Sequence, residues 1–234
     1  MTAGIRSFGS AVTAVALAVT IANGIINAHN EKIDQAQKAS VETAQQAAQS
    51  SQEILKLYST YVSATEGTEA YTTALTALAE ALGLTASEAE NAGESIHALT
   101  VEQLNQAAAN AKGAMESWDA ARGEKWDGFD FLSDIFNLST SMLLGKSDTW
   151  NAIFYGIENV IKHGKIEDIV RTYRQLQDAQ EEMNKSARQM GVNVTTLEGY
   201  NGITQYLSNM KDLYDEAIAL MNAYTTAESA AAVA

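Results

Sequence analysis

The sequence lacks proline and cysteine altogether among its 234 residues. Ordinary proline usage of about 5% would supply roughly a dozen in a chain of this length. Because a proline inside a helix costs about 3 kcal/mol, their absence leaves the chain free to form long, uninterrupted helices. The absence of cysteine excludes disulfides, thiol chemistry and cysteine-ligated zinc.

Positive charge is also scarce. The chain has 15 lysines and arginines against 29 aspartates and glutamates, a formal net charge of -14. A nucleic-acid-binding protein presents a basic surface, and here the basic spots are as short as residues 162–165. We therefore expect no specific nucleic-acid binding and ascribe the charge to solubility.

Patterns that carry catalysis or metal binding are missing as well. His29, His97 and His163 lie in different segments, and there is no zinc-protease motif, phosphate-binding loop, dinucleotide fingerprint or nucleophile elbow. The run of acids at Asp178, Glu181 and Glu182 is typical of a solvated helix face. We predict a protein that is not an enzyme and that needs no metal ion and no cofactor.

Helical periodicity dominates what remains. Hydrophobic residues make up 46% of the chain, and much of this fraction is alanine, which buries little area per residue. The sequence predicts an all-α fold of long helices and antiparallel helical hairpins with coiled-coil packing and an N-terminal apolar helix. We divide it into residues 1–28, 29–126, 127–164 and 165–234.

The first region has no charged residue between Ser7 and Ala28. This length is close to what crosses a hydrocarbon core. Small residues recur at every fourth position, which lets helix backbones approach closely; this helix-packing stripe comprises Ser10, Ala14, Ala18 and Ala22. Three interpretations stay open: a helix buried in a protein assembly, a membrane-inserting segment, and a signal peptide.

The second region begins with a long alanine- and glutamine-rich helix. A three-and-four spacing runs through Ile33, Gln37, Ser40, Ala44, Ala47, Ser51, Ile54, Tyr58 and Tyr61. If this helix continues from the first region, its roughly 60 residues would reach about 90 Å. We expect a break at Gly67, helix ends at Gly83 and Gly123, and helix starts at the capping boxes that begin at Thr85 and Thr100.

The third region, 127–164, reads as an apolar helical hairpin. Its two segments are FDFLSDIFNLSTSMLLG and TWNAIFYGIENVI. Asp130, Asp134 and Glu158 argue against either segment spanning a bilayer. The alternative to a hairpin core is a surface that meets a membrane or a partner protein.

The fourth region, 165–234, carries two coiled-coil seams. Apolar residues alternate spacings of three and four, interrupted by Gln180, in two series: Ile166, Ile169, Tyr173, Leu176 and Met183, then Ile203, Leu207, Met210 and Tyr214. Gly191 closes the first helix, and a capping box at Thr195 opens the second. The short connection predicts an antiparallel hairpin.

Two stretches resemble phage tail tape measure proteins. They are GIRSFGSAVTAVALAVTIANGIINAHNEKIDQAQKA and LYSTYVSATEGTEAYTTALTALAEALGLTASEAENAGESIHALTVEQLNQAAANAKGAM. The similarity covers Gly4 to Met115 and lies in the order of an apolar small-residue segment, an alanine-rich helix and short turns. Members of that family are usually several times longer, so the resemblance implies a fragment or a short relative.

The resemblance implies a structural protein of the virion that occupies the tail lumen. Such a protein sets tail length during assembly and assists genome ejection across the host membrane. The implied partners are tail tube and tail tip proteins, together with further copies in a homo-oligomer, and residues 7–28 would contact the membrane. No catalytic residues carry over.

Two other functions are compatible with the same helices. One is a helical pore-forming toxin that stores an apolar segment in a bundle, and lysis of liposomes by the lone protein would favour it. The other is a membrane-anchored coiled-coil interaction protein, which stable residence in a cell membrane would favour.

Overall fold

The computed structural model describes residues 5–85, 88, 95–136, 148–197 and 199–233, with the backbone alone described for 5–30, 95, 124–136, 148–152 and 154. Within these ranges lie six helices: α1 (Ile5–Ser63), α2 (Glu69–Ala81), α3 (Ser95–Phe136), α4 (Asp148–His163), α5 (Ile166–Met190) and α6 (Tyr200–Val233). A short 3-10 turn, Val194–Thr196, precedes α6. The described part of the chain is about 90% helical and contains no strand, which confirms the all-α prediction.

The first helix is continuous from Ile5 to Ser63. At 1.5 Å per residue its 59 residues span about 88 Å. The expected break after it is present, since Gly67 has a φ of 80° and Thr68 caps α2 by accepting a hydrogen bond from the Tyr71 amide at 3.2 Å. Gly83, with a φ of 73°, follows the end of α2 as predicted.

Two helix boundaries differ from the prediction. Helix α3 begins at Ser95, so Thr100 lies inside it, fully buried, with its hydroxyl donating to the Ile96 carbonyl at 2.7 Å. The same helix passes through Gly123 and beyond residue 126. A single glycine costs a helix only about 1 kcal/mol, which the packing of a 42-residue helix readily outweighs.

The capping boxes have mixed outcomes. Thr85 and Glu88 form one, because the Thr85 amide donates to the Glu88 carboxylate at 2.8 Å and the Glu88 amide donates to the Thr85 hydroxyl at 3.3 Å. The prediction at Thr195 is wrong, since α6 starts at Tyr200. Asn193 instead accepts from the Thr195 amide at 3.1 Å and holds the 3-10 turn.

The main core joins α1, α3, α4, α5 and α6, and the second half of α6 packs on α1 and α3 within it. Helix α3 runs antiparallel to α1, with the Tyr58 hydroxyl 2.7 Å from Nδ1 of His97. The middle of this core is lined by small side chains; the fully buried alanines are Ala44, Ala111, Ala217 and Ala227. A second cluster at one end joins α1, α2 and α3 through Ile54, Leu78 and Leu104.

The predicted α1 seam faces this core. Seven of its positions are buried, namely Ile33, Gln37, Ser40, Ala44, Ala47, Ser51 and Ile54, and the two tyrosines that follow are half-buried. The spacing therefore located the inner face of a helix whose seam is largely alanine, serine and glutamine. Such a seam brings the backbones close but buries little apolar area.

Helix α5 packs along the first half of α6 within the same chain. Tyr173 and Tyr214 stack with ring centroids 4.2 Å apart, and Gln180 donates to the Thr204 hydroxyl at 2.9 Å. Gly191 ends α5 with a φ of 67°. Helix α6 thus packs on α5 at its beginning and on α1 and α3 at its end, within one continuous hydrophobic core.

Candidate functional site

A buried arginine joins α3 to the connection between α4 and α5. The Arg122 side chain is 3% exposed, and its guanidinium donates to the backbone carbonyls of Ile161 and Gly164. These carbonyls lie at the carboxyl end of α4, where a positive charge is favoured by the helix dipole. The guanidinium also contacts Asp119 at 3.2 Å and lies 5.7 Å from the centre of the Trp118 ring.

Two further polar contacts tie α6 to this region. Trp118, which is fully buried, donates from Nε1 to the Glu216 carboxylate at 2.7 Å. The Tyr206 hydroxyl donates to Glu158 of α4 at 2.5 Å. Burial, followed by this hydrogen bond, raises the pKa of the Tyr206 hydroxyl, so it stays protonated and remains a donor.

Asp119 completes this polar cluster, which we call the Arg122 cluster: Trp118, Asp119, Arg122 and Glu216. Desolvation is the largest influence on Asp119 and raises its pKa, and the nearby guanidinium only partly offsets that effect. All the polar partners come from helices that meet at one level of the bundle. The arrangement fixes α3, α6 and the α4–α5 connection to one another.

A second cluster lies at the opposite end of the α1–α3 pair. The Tyr61 and Tyr71 rings are 5.2 Å apart and their hydroxyls are 3.1 Å apart, while the Tyr58 ring lies 5.7 Å from the His97 ring. The hydrogen bond with Tyr71 raises the pKa of Tyr61 to about 12. His97 thus has a tyrosine partner and belongs to this aromatic cluster.

The predicted seam residues mostly lie inside. Those that are buried are Ile166, Ile169, Tyr173, Leu176, Ile203, Leu207 and Met210. Met183 and Tyr214 are partly buried and pack against the same core. The stripe residues Ser10, Ala14, Ala18 and Ala22 lie on α1, but their side chains are outside the described residues.

Sequence reasoning missed the Arg122 cluster. The signal was available, because Leu104, Ala111 and Trp118 are seven residues apart and Arg122 is one helical turn further along the same face. A charged residue on an otherwise apolar face predicts a buried partner. The acid run at Asp178, Glu181 and Glu182 is exposed, as predicted.

Shallow grooves run between the helices. The largest described, which we call the α1–α6 groove, has a volume of about 490 Å³ and no charged residue in its lining. The groove between α3 and α6 is about 340 Å³ and contains Lys112 and Glu228, and the one between α1 and α2 contains Glu53 and Glu80. Open grooves of this kind suit the packing of another helix.

The described part of the chain contains no group of three histidine, aspartate or glutamate side chains placed to hold a metal ion. Among the described residues no helix combines the length and the apolarity that crossing a bilayer requires. Comparison with known proteins gives no match to a protein-family model, a curated protein or a solved structure.

Proposed function

We propose that this chain is a structural protein of the phage tail tape measure type. In this proposal it lies in the tail lumen of the virion as a homo-oligomer and contacts the tail tube and tail tip proteins. Its helical length contributes to setting tail length, and its charge-free segment, residues 7–28, assists genome ejection at the host membrane. The support is the shape of the helices together with the resemblance over Gly4 to Met115.

The observation that carries the proposal is the length of α1. A compact domain of 234 residues would have a radius of gyration of about 17 Å and a diameter of roughly 45 Å. The 59 residues of α1 span about 88 Å, roughly twice that diameter. A continuous helix of this length suits a protein that measures or bridges a distance.

The thin core supports the same function. Along α1 the buried positions include Ala44, Ala48 and Ser51, which contribute far less burial than leucines would. The α1 seam therefore separates from its neighbours at low cost. The α5–α6 pair would add a coiled-coil hairpin with knobs-into-holes packing around Tyr173 and Tyr214. Helices held this way can open and pack again in an extended assembly.

The charge also suits a place beside the genome. A net charge of -14 repels the phosphate backbone of DNA, so a protein of this kind would not hold the genome in place as it passes. This is a property expected of a component that leaves the tail ahead of DNA.

The test is to change the helical length in the phage that encodes the chain. Duplicating residues 29–56, which adds four heptads to α1, should lengthen the tails seen by electron microscopy by about 42 Å. A control in which the exposed Gln45 and Gln46 are replaced by alanine keeps the length of the chain and should leave the tails unchanged.

Two outcomes would contradict the proposed tail function. Tails of unchanged length in the duplicated variant, or purified virions in which mass spectrometry finds none of this chain, would rule the proposal out. Leakage of dye from liposomes on addition of the purified chain would favour the pore-forming alternative instead.

A further inference from the structure

The α1–α6 groove differs from the other grooves described because it is free of charge. Its walls are formed by Gln52 and Leu55 of α1 and by Asn222, Thr225, Ser229 and Val233 of α6. The grooves on either side contain a lysine and a glutamate or two glutamates. In a chain where 19% of residues are charged, this groove is a surface that another uncharged surface can approach without desolvating a charge.

The α1 wall of this groove continues an apolar row that its own chain covers only in part. Val41, Ala48, Leu55 and Val62 follow one another every seven residues. Ala48 is buried, Leu55 is half-buried and Val62 is 61% exposed, so coverage decreases toward the end of α1. Val233 of α6 is 75% exposed on the opposite wall. The row from Val41 to Val62 is about 32 Å long.

One segment of the chain shares the groove's lack of charge. Residues 7–28 contain no charged residue and, as part of α1, form a helix about 33 Å long. Their sequence has small residues at every fourth position, a pattern that lets helix backbones approach closely. The segment cannot reach the groove of its own chain, because α1 is unbroken and Ala18 lies about 51 Å from Gln52 along the helix.

We propose that the α1–α6 groove of one copy binds the charge-free segment 7–28 of a second copy. Two chains that each carry a net charge of -14 repel over most of their surfaces, so contact is confined to the parts that are uncharged on both. The proposal goes beyond the tail function and does not depend on it. The proposal gives the α1–α6 groove and segment 7–28 each a binding partner.

Disulfide crosslinking tests the contact directly, because the natural chain has no cysteine. Chains carrying Ala18→Cys are mixed with differently tagged chains carrying Gln52→Cys and oxidised. The expected product is a mixed dimer. Ser50→Cys is the matched control, since Ser50 is two residues from Gln52 but lines the groove between α1 and α2. Equal crosslinking of both positions, or of neither, would overturn the proposal.

A charge placed in the groove provides the second test. The double variant Gln52→Glu and Thr225→Glu should weaken self-association at least about tenfold in sedimentation equilibrium, because each new carboxylate must be desolvated on binding. The control pair, Asn105→Glu and Ala109→Glu, lies in the groove between α3 and α6 and should leave association unchanged. Circular dichroism checks that both variants stay helical.

Lipid is the competing occupant of the segment. If the wild-type chain stays monomeric in sedimentation and floats with neutral liposomes, residues 7–28 bind lipid and the proposal is wrong. If the wild-type chain self-associates and the Gln52→Glu, Thr225→Glu variant associates more weakly, the proposal is supported. Neither result depends on tail length, so this proposal and the tail function can fail separately.

Discussion

Arg122 is the residue on which the joint between α3 and the α4–α5 connection depends. Replacing it with methionine removes the donor from two backbone carbonyls and leaves Asp119 without its cation. Because hydrogen bonds to charged groups contribute about 1.5–3 kcal/mol, we expect Arg122→Met to lower the free energy of unfolding by about 2–3 kcal/mol. Urea unfolding followed by circular dichroism measures this change.

Arg171 is the matched control for this substitution. It pairs with Asp168 at 2.5 Å, but its side chain is 64% exposed. Exposed pairs contribute at most about 1 kcal/mol, so Arg171→Met should cost less than that. If the two variants unfold at the same urea concentration, Arg122 does not act as a buried joint.

Asp119 gives this cluster a dependence on pH. Burial raises its pKa above the ordinary value of 3.8, so Asp119 binds a proton more readily in the folded chain than in the unfolded chain. The stability that this group contributes is present below pH 3.8 and is lost as the pH rises through the raised pKa. The Asp119→Asn variant keeps an uncharged acceptor at this position. The difference between its free energy of unfolding and that of the wild-type chain should therefore shift in favour of the variant from pH 3.5 to pH 7. Equal differences at both pH values would contradict this.

Gln37 is a buried polar residue that lowers stability, in contrast to Arg122, because part of its side chain has no partner. Its side chain is 3% exposed on α1, and its Nε2 has no hydrogen-bond partner in the described structure. Since an unsatisfied buried donor costs about 1–3 kcal/mol, Gln37→Met should raise the free energy of unfolding by about 1–2 kcal/mol. The exposed Gln46→Met serves as control and should change it by less than about 0.5 kcal/mol. A loss of stability in Gln37→Met would mean that the amide is satisfied.

At the scale of elements, the connection between α4 and α5 depends on a close approach at Gly164. A Cβ there would lie 2.6 Å from the Val160 carbonyl oxygen and 2.9 Å from its Cγ1. Gly164→Ala should therefore cost about 1–3 kcal/mol, as overpacking does. Gly156→Ala on α4 meets nothing within 4 Å and should add up to about 1 kcal/mol through helix propensity. In thermal unfolding, the midpoint temperature should fall for Gly164→Ala and rise for Gly156→Ala. A shift of the same sign in both variants would contradict this prediction.

The elements were largely predictable, because helical spacing depends on the sequence of each helix alone. The residues that the spacing placed on the inner face of α1, from Ile33 to Ile54, are buried, and so are Ile166, Ile169, Tyr173 and Leu176 of α5. Gly123 was misread as a helix end, since a local signal cannot show that tertiary packing outweighs one glycine. The start of α6 was misplaced because Thr195 lies in a 3-10 turn that Asn193 caps, and α6 begins only at Tyr200.

The helical spacing could place Arg122 on a buried face, but it could not identify the partners of Arg122 and Trp118. These partners come from α3, α4 and α6, and the contact of Trp118 with Glu216 joins residues 98 positions apart. Spacing within one helix reveals which residues share a face but not which face of another helix meets them. Long-range pairing of this kind requires the three-dimensional structure.

At the scale of the molecule, the helices make an extended body with a thin core. The accessible surface is 14859 Å², against roughly 10,300 Å² for a compact monomer of 25.1 kDa. The excess follows from α1, which is longer than any compact packing of the chain accommodates. The same geometry leaves room for other helices along its sides.

This shape gives a measurable length. Small-angle X-ray scattering should yield a maximum dimension of at least about 85 Å, because the 59-residue α1 alone spans about 88 Å. Self-association only increases that value, so the lower bound holds for a monomer and for any assembly. As a control, proline substitutions at Ala36 and Ala39, both exposed on α1, would break the helix and shorten the dimension. A maximum near 45–50 Å for the wild-type chain would show that α1 folds back in solution and is too short to measure or bridge a distance.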